Sequence, residues 1–442
     1  MATAQSHSTS WYIRGGRIVD PATNRDEVGD LFIKDGLILT LPPHPPREAT
    51  VVDGTGLIVA PGLIDLHVHL REPGGENAET VESGSAAAAH GGFTTIVSMP
   101  NTNPAIDSPE QIRLIQRLSA ACGLVKVLPA GCITSRRKGH SLADLEGMAA
   151  AGAIAFTDDG ATVADTSLMR SAMKAARQLG IPVMEHALDP AIAGNGVMHE
   201  GACSKALNLP GIPSAAETEI VKRDIELAAE TGCAVHIQHV SASGSIEAIH
   251  DAMARGLPVS CEVTPHHIAL CEADVRIDNT ATKVSPPLGS LIDRDNLRNA
   301  IKNGIAGALA TDHAPHTASS KDLAFVKAPF GMTGLETAVG VTYTILVKTG
   351  IITLVDWLRL WTTGPAGILK RPPPSLKTGC PADVVLLDLE SGWTVRPCNF
   401  LSKSSNSPFK GRELTGSAVL TICDGRLTWD AGTGRIDKRG RP

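Results

Sequence analysis

The 442-residue sequence predicts an α/β protein: a (β/α)8 TIM-type barrel carrying a small composite β-sandwich domain to which both chain ends contribute. Three observations predict it. Eight short apolar runs alternate with helical segments between residues 63 and 311, both ends are β-rich, and each end holds an Asp-Gly hairpin signal. The expected boundaries are 1–61 for the N-terminal part of the composite domain, 62–370 for the barrel and 371–442 for the C-terminal part.

Near the N-terminus, Trp11-Tyr12-Ile13, Leu31-Phe32-Ile33 and Leu37-Ile38-Leu39 are strand-type runs, and Asp35-Gly36 between the last two predicts a type I′ turn. The barrel strands are expected at 63–67, 93–98, 125–128, 153–156, 183–186, 234–239, 259–263 and 305–311. Between them, Ser108-Pro109-Glu110-Gln111 places Ser at an N-cap and Pro at the first helical position, and Ser214-Ala215-Ala216-Glu217 reads as a capping box. Residues 369–379, LKRPPPSLKTG, mark the return to the small domain. There residues 382–388 read as a buried strand, and 418–423 joins Leu427-Thr428-Trp429 through Asp424-Gly425. The short polar run SKSSNS at 402–407 is expected to be a surface loop.

Composition excludes several classes of function. With 40 basic against 46 acidic residues the net charge is −6, which leaves no basic field for nucleic acid or an anionic membrane surface. A mean hydropathy of +0.04 fits a soluble globule. Aromatic residues (7 Phe, 5 Trp, 2 Tyr) are fewer than the 15 histidines, so the core must be Ala, Val, Ile and Leu. Nine cysteines without a C-x-x-C pair argue against disulfides or a structural zinc knot. The first ten residues are polar and no run approaches the ~18 apolar residues of a membrane span. A cytoplasmic protein is expected.

The chemistry concentrates at the ends of the predicted strands. In Asp65-Leu66-His67-Val68-His69, positions i and i+2 point the same way, so His67 and His69 can reach one metal from the end of the first strand. Asn101, Asp158, Asp159, His186, His239 and Asp312 fall at the C-terminal ends of other strands, where barrels of this kind place catalytic groups. Imidazole and carboxylate without thiolate suit zinc, and a shared carboxylate suits a binuclear site. Alternation does not separate Asp158 from Asp159, nor His236 from His239. His266 and His267 follow the seventh strand and read best as loop-shaping. The remaining histidines, among them His7, His90 and His313, read as surface or packing residues. No P-loop, HExxH or GxSxG is present, which removes the usual support for kinase, zincin and α/β-hydrolase readings.

At Asp65-Leu66-His67-Val68-His69-Leu70-Arg71-Glu72-Pro73-Gly74 the chain resembles the cyclic amidohydrolases of the amidohydrolase superfamily. Ala310-Thr311-Asp312-His313-Ala314-Pro315-His316, with Lys321 five residues on, is similar to the second signature of the aspartate-bridged, class I dihydroorotases. The likeness continues through Met99-Pro100-Asn101-Thr102, Phe156-Thr157-Asp158-Asp159-Gly160, Glu185-His186-Ala187, Gln238-His239-Val240 and Pro329-Phe330-Gly331. The resemblance implies two Zn2+ per chain, one on His67, His69 and Asp312, the other on His186 and His239, bridged by Asp159 and a hydroxide. It implies Asp312 as the catalytic proton carrier. His69, Arg71, Asn101, Ser285, His316, Phe330 and Gly331 are the substrate-binding positions.

The implied reaction is the reversible cyclisation of N-carbamoyl-L-aspartate to (S)-dihydroorotate in pyrimidine biosynthesis. A homo-oligomer and an aspartate carbamoyltransferase partner are further expectations. Dihydropyrimidinases and allantoinases share the His-x-His start but bridge their metals with a carboxylated lysine, where this chain has Asp158-Asp159. The other alternative is a non-catalytic subunit of the transferase, and retention of every expected ligand counts against it. One departure stands out: Ser285-Pro286-Pro287-Leu288-Gly289 replaces the family's Asn-Pro-Pro-Leu-Arg, so one substrate contact is expected to be lost or carried by water.

Overall fold

The computed structural model describes residues 10–434; the polar stretch 1–9, with His7, lies outside them. The N-terminal segment forms β1 (Ser10–Asp20), β2 (Arg25–Lys34), β3 (Leu37–Leu39), β4 (Thr50–Asp53) and β5 (Ile58–Pro61). The central segment supplies β6 (Leu63–Val68), β7 (Phe93–Ser98), β8 (Lys126–Pro129), β9 (Val183–Glu185), a short parallel pair β10 (Met198–His199) and β11 (Gly211–Ile212), β12 (Val235–Ile237), β13 (Val259–Val263) and β14 (Ala308–Leu309). The chain then returns as β15 (Val384–Thr394), β16 (Glu413–Cys423) and β17 (Arg426–Asp430).

Both termini share one eight-stranded sheet, ordered β17-β16-β15-β5-β1-β2-β3 with β4 on β1. Its two Asp-Gly turns form as expected. Asp35 and Gly36 have φ of 51° and 81°, and Asp424 and Gly425 of 48° and 74°, the positive values a type I′ turn needs at both central positions. The two turns also meet. The Trp11 indole donates to Gly425 O, and Ala382 N–H donates to Gly36 O. The sheet therefore curls so that its ends close over Ile13, Ile33, Ile38, Val59, Val384 and Ile422.

The central strands pair in parallel as β6-β7-β8 and β9-β12-β13-β14. Phe156 bridges Gly131 to Val183 on one side, and His313 bridges to Val68 on the other, so the parallel pairings run in a closed circuit. The fourth expected strand is reduced to this bridge, yet Ile154 and Thr157 still donate to Pro129 O and Gly131 O, and Phe156 O accepts from Met184 N–H. Strand-facing helices such as Val81–His90 carry small buried residues, Ala86 to Ala89, that admit close packing on the strands.

Inside the circuit, alternate residues Ile64, Leu66, Val97, Met184, Ala308 and Ala310 form an apolar floor, closed below by Ala366 and Leu369. Above that floor the inward positions turn polar.

Two local expectations need correction. Ser108 caps the helix Pro109–Cys122 as predicted, but Ser214 adopts helical angles and makes no side-chain cap. Glu217, the other half of that box, is spent elsewhere: its buried carboxylate accepts from Ser241 N–H, Ser241 Oγ–H and Ala242 N–H. And 402–407 is a surface loop only in part: Lys403 and Ser405 are exposed, but Ser402, Ser404 and Ser407 are buried. Their hydroxyls replace water with protein partners: Ser402 donates to Glu79 Oε2 and Ser404 to Ala78 O. The nine cysteines are free, and Cys398 alone is exposed. No helix among the described residues is long and apolar enough to cross a membrane.

Candidate active site

The polar layer begins where β6 ends. His67 Nε2 lies 3.1 Å from Asp159 Oδ1 and 3.5 Å from Asp312 Oδ1, and His69 Nε2 lies 3.0 Å from Asp312 Oδ1 and 3.4 Å from Asp159 Oδ2. His239 Nε2 stands 2.8 Å from His186 Nδ1, and both rings approach Asp159 Oδ1, at 3.8 and 3.6 Å. All six are buried. The ligand atoms of His67, Asp159 and His239 lie within 4.8 Å of one another, as do those of His67, His69 and Asp312.

The geometry resolves what alternation left open. Asp158 turns away: its Oδ1 accepts from Ile133 and Thr134 N–H, and its Oδ2 from the Thr134 hydroxyl. Asp159 faces the histidines. His236 points down to Ser260 and Glu262, whereas His239 joins the cluster. Arg137 ties this turn by donating to the backbone oxygens of Asp158 and Asp159.

Two buried atoms in the cluster, His67 Nε2 and Asp159 Oδ1, face each other without a hydrogen-bond partner. Orphaned buried groups of this kind are costly unless something else binds them, and an imidazole nitrogen opposite a carboxylate oxygen is a donor set for a divalent metal. The other His67 nitrogen is already committed. Nδ1 lies 3.0 Å from Glu262 Oε1, so its N–H donates there, and Nε2 is the nitrogen left to offer a metal its lone pair. Gln238 Nε2 also stands 3.1 Å from Nδ1, but a carboxylate attracts that proton and an amide nitrogen does not. Burial opposes ionisation of Glu262, yet His236 and His67 hold its carboxyl down at about 2. Glu262 was not anticipated from sequence; the available signal was a lone carboxylate inside the apolar run Val259-Ser260-Cys261-Glu262-Val263.

Without a cation, burial disfavours the His67 imidazolium, but Asp159 and Asp312 outweigh it and hold its pKa well above the ordinary value. Burial likewise opposes ionisation of Asp159, and His67 and His69 hold it well below the carboxylate range. A metal must therefore displace a proton from His67 at neutral pH. The expected outcome is a Zn2+ affinity that weakens as pH falls, by up to about tenfold per unit for one displaced proton, with proton release on binding. Titration calorimetry in buffers of different ionisation heat measures both, and an affinity flat between about pH 6 and 8 would refute it.

Beside the metal donors lies a cationic corner. Arg71, with φ +59°, donates from Nε to Pro315 O, and its Nη2 lies 3.5 Å from His316 Nε2. It forms no ion pair among the described residues. Burial pushes its guanidinium down to about 10 and, with Arg71 adjacent, pushes the His316 imidazole down to about 3, so His316 is neutral. His316 Nε2 lies 2.7 Å from Phe330 O and donates to it.

Asn101 joins the site through His69: Oδ1 accepts from His69 Nδ1 at 2.8 Å, and Nδ2 reaches Asp159 Oδ2 at 3.4 Å. Ser285 is partly buried, and no hydrogen bond among the described residues joins its hydroxyl to the cluster. The loop it begins is shaped by His267, whose Nε2 donates to Pro286 O. His266 lies against His267, buried, with neither ring nitrogen hydrogen-bonded.

Gly331, with φ +128°, sits tightly under His316: a Cβ there would lie 2.7 Å from Ala314 Cβ and 3.0 Å from His316 Nε2. Gly331→Ala is expected to cost about 1–3 kcal/mol of stability. Thermal unfolding against wild type measures it, and an unchanged midpoint would refute it. Asn406, also missed from sequence, locks this corner by accepting from His316 N–H and donating to Ala314 O and Gly331 O.

A family model described as dihydro-orotase-like matches residues 56–245. The chain is 46% identical over 419 residues to a dihydroorotase of Pelotomaculum thermopropionicum, covering 94% of this chain and 97% of that one. The chain belongs to the dihydroorotase family. A second dihydroorotase, of Bacillus cytotoxicus, is 44% identical over 401 residues, 90% of this chain and 94% of the other. Among solved structures, an L-hydantoinase (dihydropyrimidinase) of Arthrobacter aurescens superposes with a TM-score of 0.85 at 25% identity, covering 96% of each chain. A D-hydantoinase superposes with a TM-score of 0.84 at 26% identity, again over 96% of both chains. Dihydroorotase membership thus rests on relatives that match the chain from end to end, in keeping with the signatures at His67 and Asp312.

Proposed function

We propose that the chain catalyses the dihydroorotase reaction, the reversible conversion of N-carbamoyl-L-aspartate to (S)-dihydroorotate and water. The observation that carries the substrate choice is Arg71, a partly buried guanidinium that forms no ion pair among the described residues, beside the His–Asp cluster. A buried cation without a counter-ion is costly. The α-carboxylate of an anionic substrate supplies that counter-ion, and a guanidinium offers it two parallel donors.

On this reading the cluster would hold two zinc ions, with His67, His69 and Asp312 as ligands of one, His186 and His239 of the other, and Asp159 as the shared carboxylate. When bound, such ions supply Lewis-acid polarisation of a carbonyl and an acidified water. The chain does the rest. In the ring-opening direction Asp312 takes the proton of the attacking water and passes it to the leaving ring nitrogen, because an amide is a poor electrophile with a poor leaving group. Arg71 fixes the carboxylate, His316, whose one N–H is spent on Phe330 O, lines the same corner beside it, Asn101 orients His69, and the backbone at Phe330 and Gly331 contacts the ring. Ser285 reaches substrate through water.

The same reading takes the closed parallel circuit as the (β/α)8 barrel of residues 62–370, and the curled sheet as a β-sandwich built from 1–61 and 371–442. It places the protein in the cytoplasm, as a homo-oligomer with aspartate carbamoyltransferase as candidate partner. The likeness to hydantoinases raises a second reading, a cyclic amidase for neutral rings, which leaves Arg71 without a counter-ion. The test is ring opening by the zinc-loaded chain of dihydroorotate against dihydrouracil and hydantoin. Preference for dihydroorotate supports the proposal, and preference for an uncharged ring replaces it.

A further inference from the structure

Two lysines stand apart from every ion pair among the described residues. Lys283 and Lys321 are only 2% and 8% exposed, and neither meets a carboxylate. Their partners are backbone carbonyls of a single loop. Lys283 Nζ donates to Phe325 O at 2.8 Å, Val326 O at 2.9 Å and Ala328 O at 2.7 Å, so three carbonyls match the three N–H of an ammonium. It also lies 4.6 Å from the centroid of the Phe330 ring, on which a cation is attracted by the π face. Lys321 Nζ donates to Pro329 O at 2.9 Å and Gly331 O at 2.8 Å.

The backbone completes the clamp. Gly331 N–H donates to Lys283 O, and the Thr280 hydroxyl donates to Lys321 O. Five of the seven carbonyls from 325 to 331 are thus held by two side chains. A sixth, Phe330 O, is the acceptor that orients His316. Burial, with the Lys283 ammonium adding to it, pushes Lys321 down to about 7. Two lysine amines so buried, with no carboxylate beside either, are a cost that a purely structural loop has no reason to carry.

We propose that Lys283 and Lys321 are positioning residues for the substrate-carboxylate subsite: together they fix the 325–331 loop, and through Phe330 O they hold His316 beside Arg71. They touch no reacting atom, and their effect falls on binding rather than on the chemical step. The inference rests on the dihydroorotase reading for the identity of the carboxylate, whereas the clamp itself stands on the contacts above.

The test compares Lys283→Met, Lys321→Met and the double variant with wild type, all zinc-loaded, in dihydroorotate opening, with metal content measured on the same samples. Each single variant is expected to raise KM by about tenfold or more with kcat within about threefold and metal content unchanged. The double variant should raise KM by less than the product of the singles, because both act on one loop. Hydrogen exchange supplies a readout independent of turnover: backbone amides of 325–331 should exchange faster in both variants. Where Met at either position prevents folding, Gln at that same position (Lys283→Gln or Lys321→Gln), which keeps fewer donors than the ammonium, takes its place with the same expected direction and a smaller rise in KM. A KM within about twofold of wild type, or a fall in kcat together with lost metal, would overturn the positioning role. Slow loop exchange in the variants would overturn the clamp. A wild-type chain that fails to open dihydroorotate while its variants still loosen the loop would instead refute the functional reading.

Discussion

Asp312→Asn is expected to lower kcat for dihydroorotate opening by about 10²- to 10⁴-fold, the usual worth of a positioned acid–base group, while leaving most of the substrate affinity. The substitution is nearly isosteric. Asp312 Oδ1 accepts from His69 Nε2 at 3.0 Å, and an amide oxygen in its place can keep that contact. What the amide cannot do is accept a proton from water and return it to nitrogen. Burial opposes ionisation of Asp312, but His67 and His69 hold its carboxyl well below the ordinary range, so it is a carboxylate throughout the neutral range. Arg71, the group assigned to the carboxylate, is untouched. Steady-state kinetics with inhibitor binding and metal counting on one sample separate the outcomes. Full turnover would remove Asp312 from the proton path, and loss of metal with loss of turnover would assign it a ligand role alone.

Much of this site is written in local pattern, and what is not has a physical reason. The Asp-Gly turns were readable because their φ requirement is met within two residues. The His67–His69 pair and the strand-end positions of His186, His239 and Asp312 were readable because a strand's period and polarity confine them. Asp159 over Asp158 was not, since the chain leaves strand geometry there and a turn held by Arg137, Ile133 and Thr134 decides which carboxylate faces inward. The run 402–407 misled for a related reason. A serine's polarity is the same whether water or a buried carboxylate accepts its proton, and the carboxylate, Glu79, lies more than three hundred residues away in sequence. Glu262 was visible as an anomaly in an apolar strand, but its partners His67 and His236 come from two other strands.

Glu262 carries the second large effect. Its two oxygens each lie 3.0 Å from a ring nitrogen, Oε1 from His67 Nδ1 and Oε2 from His236 Nε2, and it is fully buried. Glu262→Leu removes the acceptor that fixes the His67 tautomer, so the ring is free to present N–H instead of a lone pair to the cluster. Outer-shell partners of this type are worth about 10- to 100-fold in metal affinity, and that is the expected loss. Glu262→Gln should lose less. Its amide oxygen can still accept from His67 Nδ1, while its NH2 faces His236, which can shift its own proton to Nδ1 and donate to Ser260 Oγ, 2.9 Å away. The ordering of the two variants is therefore the diagnostic. Chelator competition for bound zinc measures it, with circular dichroism confirming the fold. Wild-type affinity in the Leu variant, or an equal loss in both, would mean that His67 is oriented by packing rather than by this carboxylate.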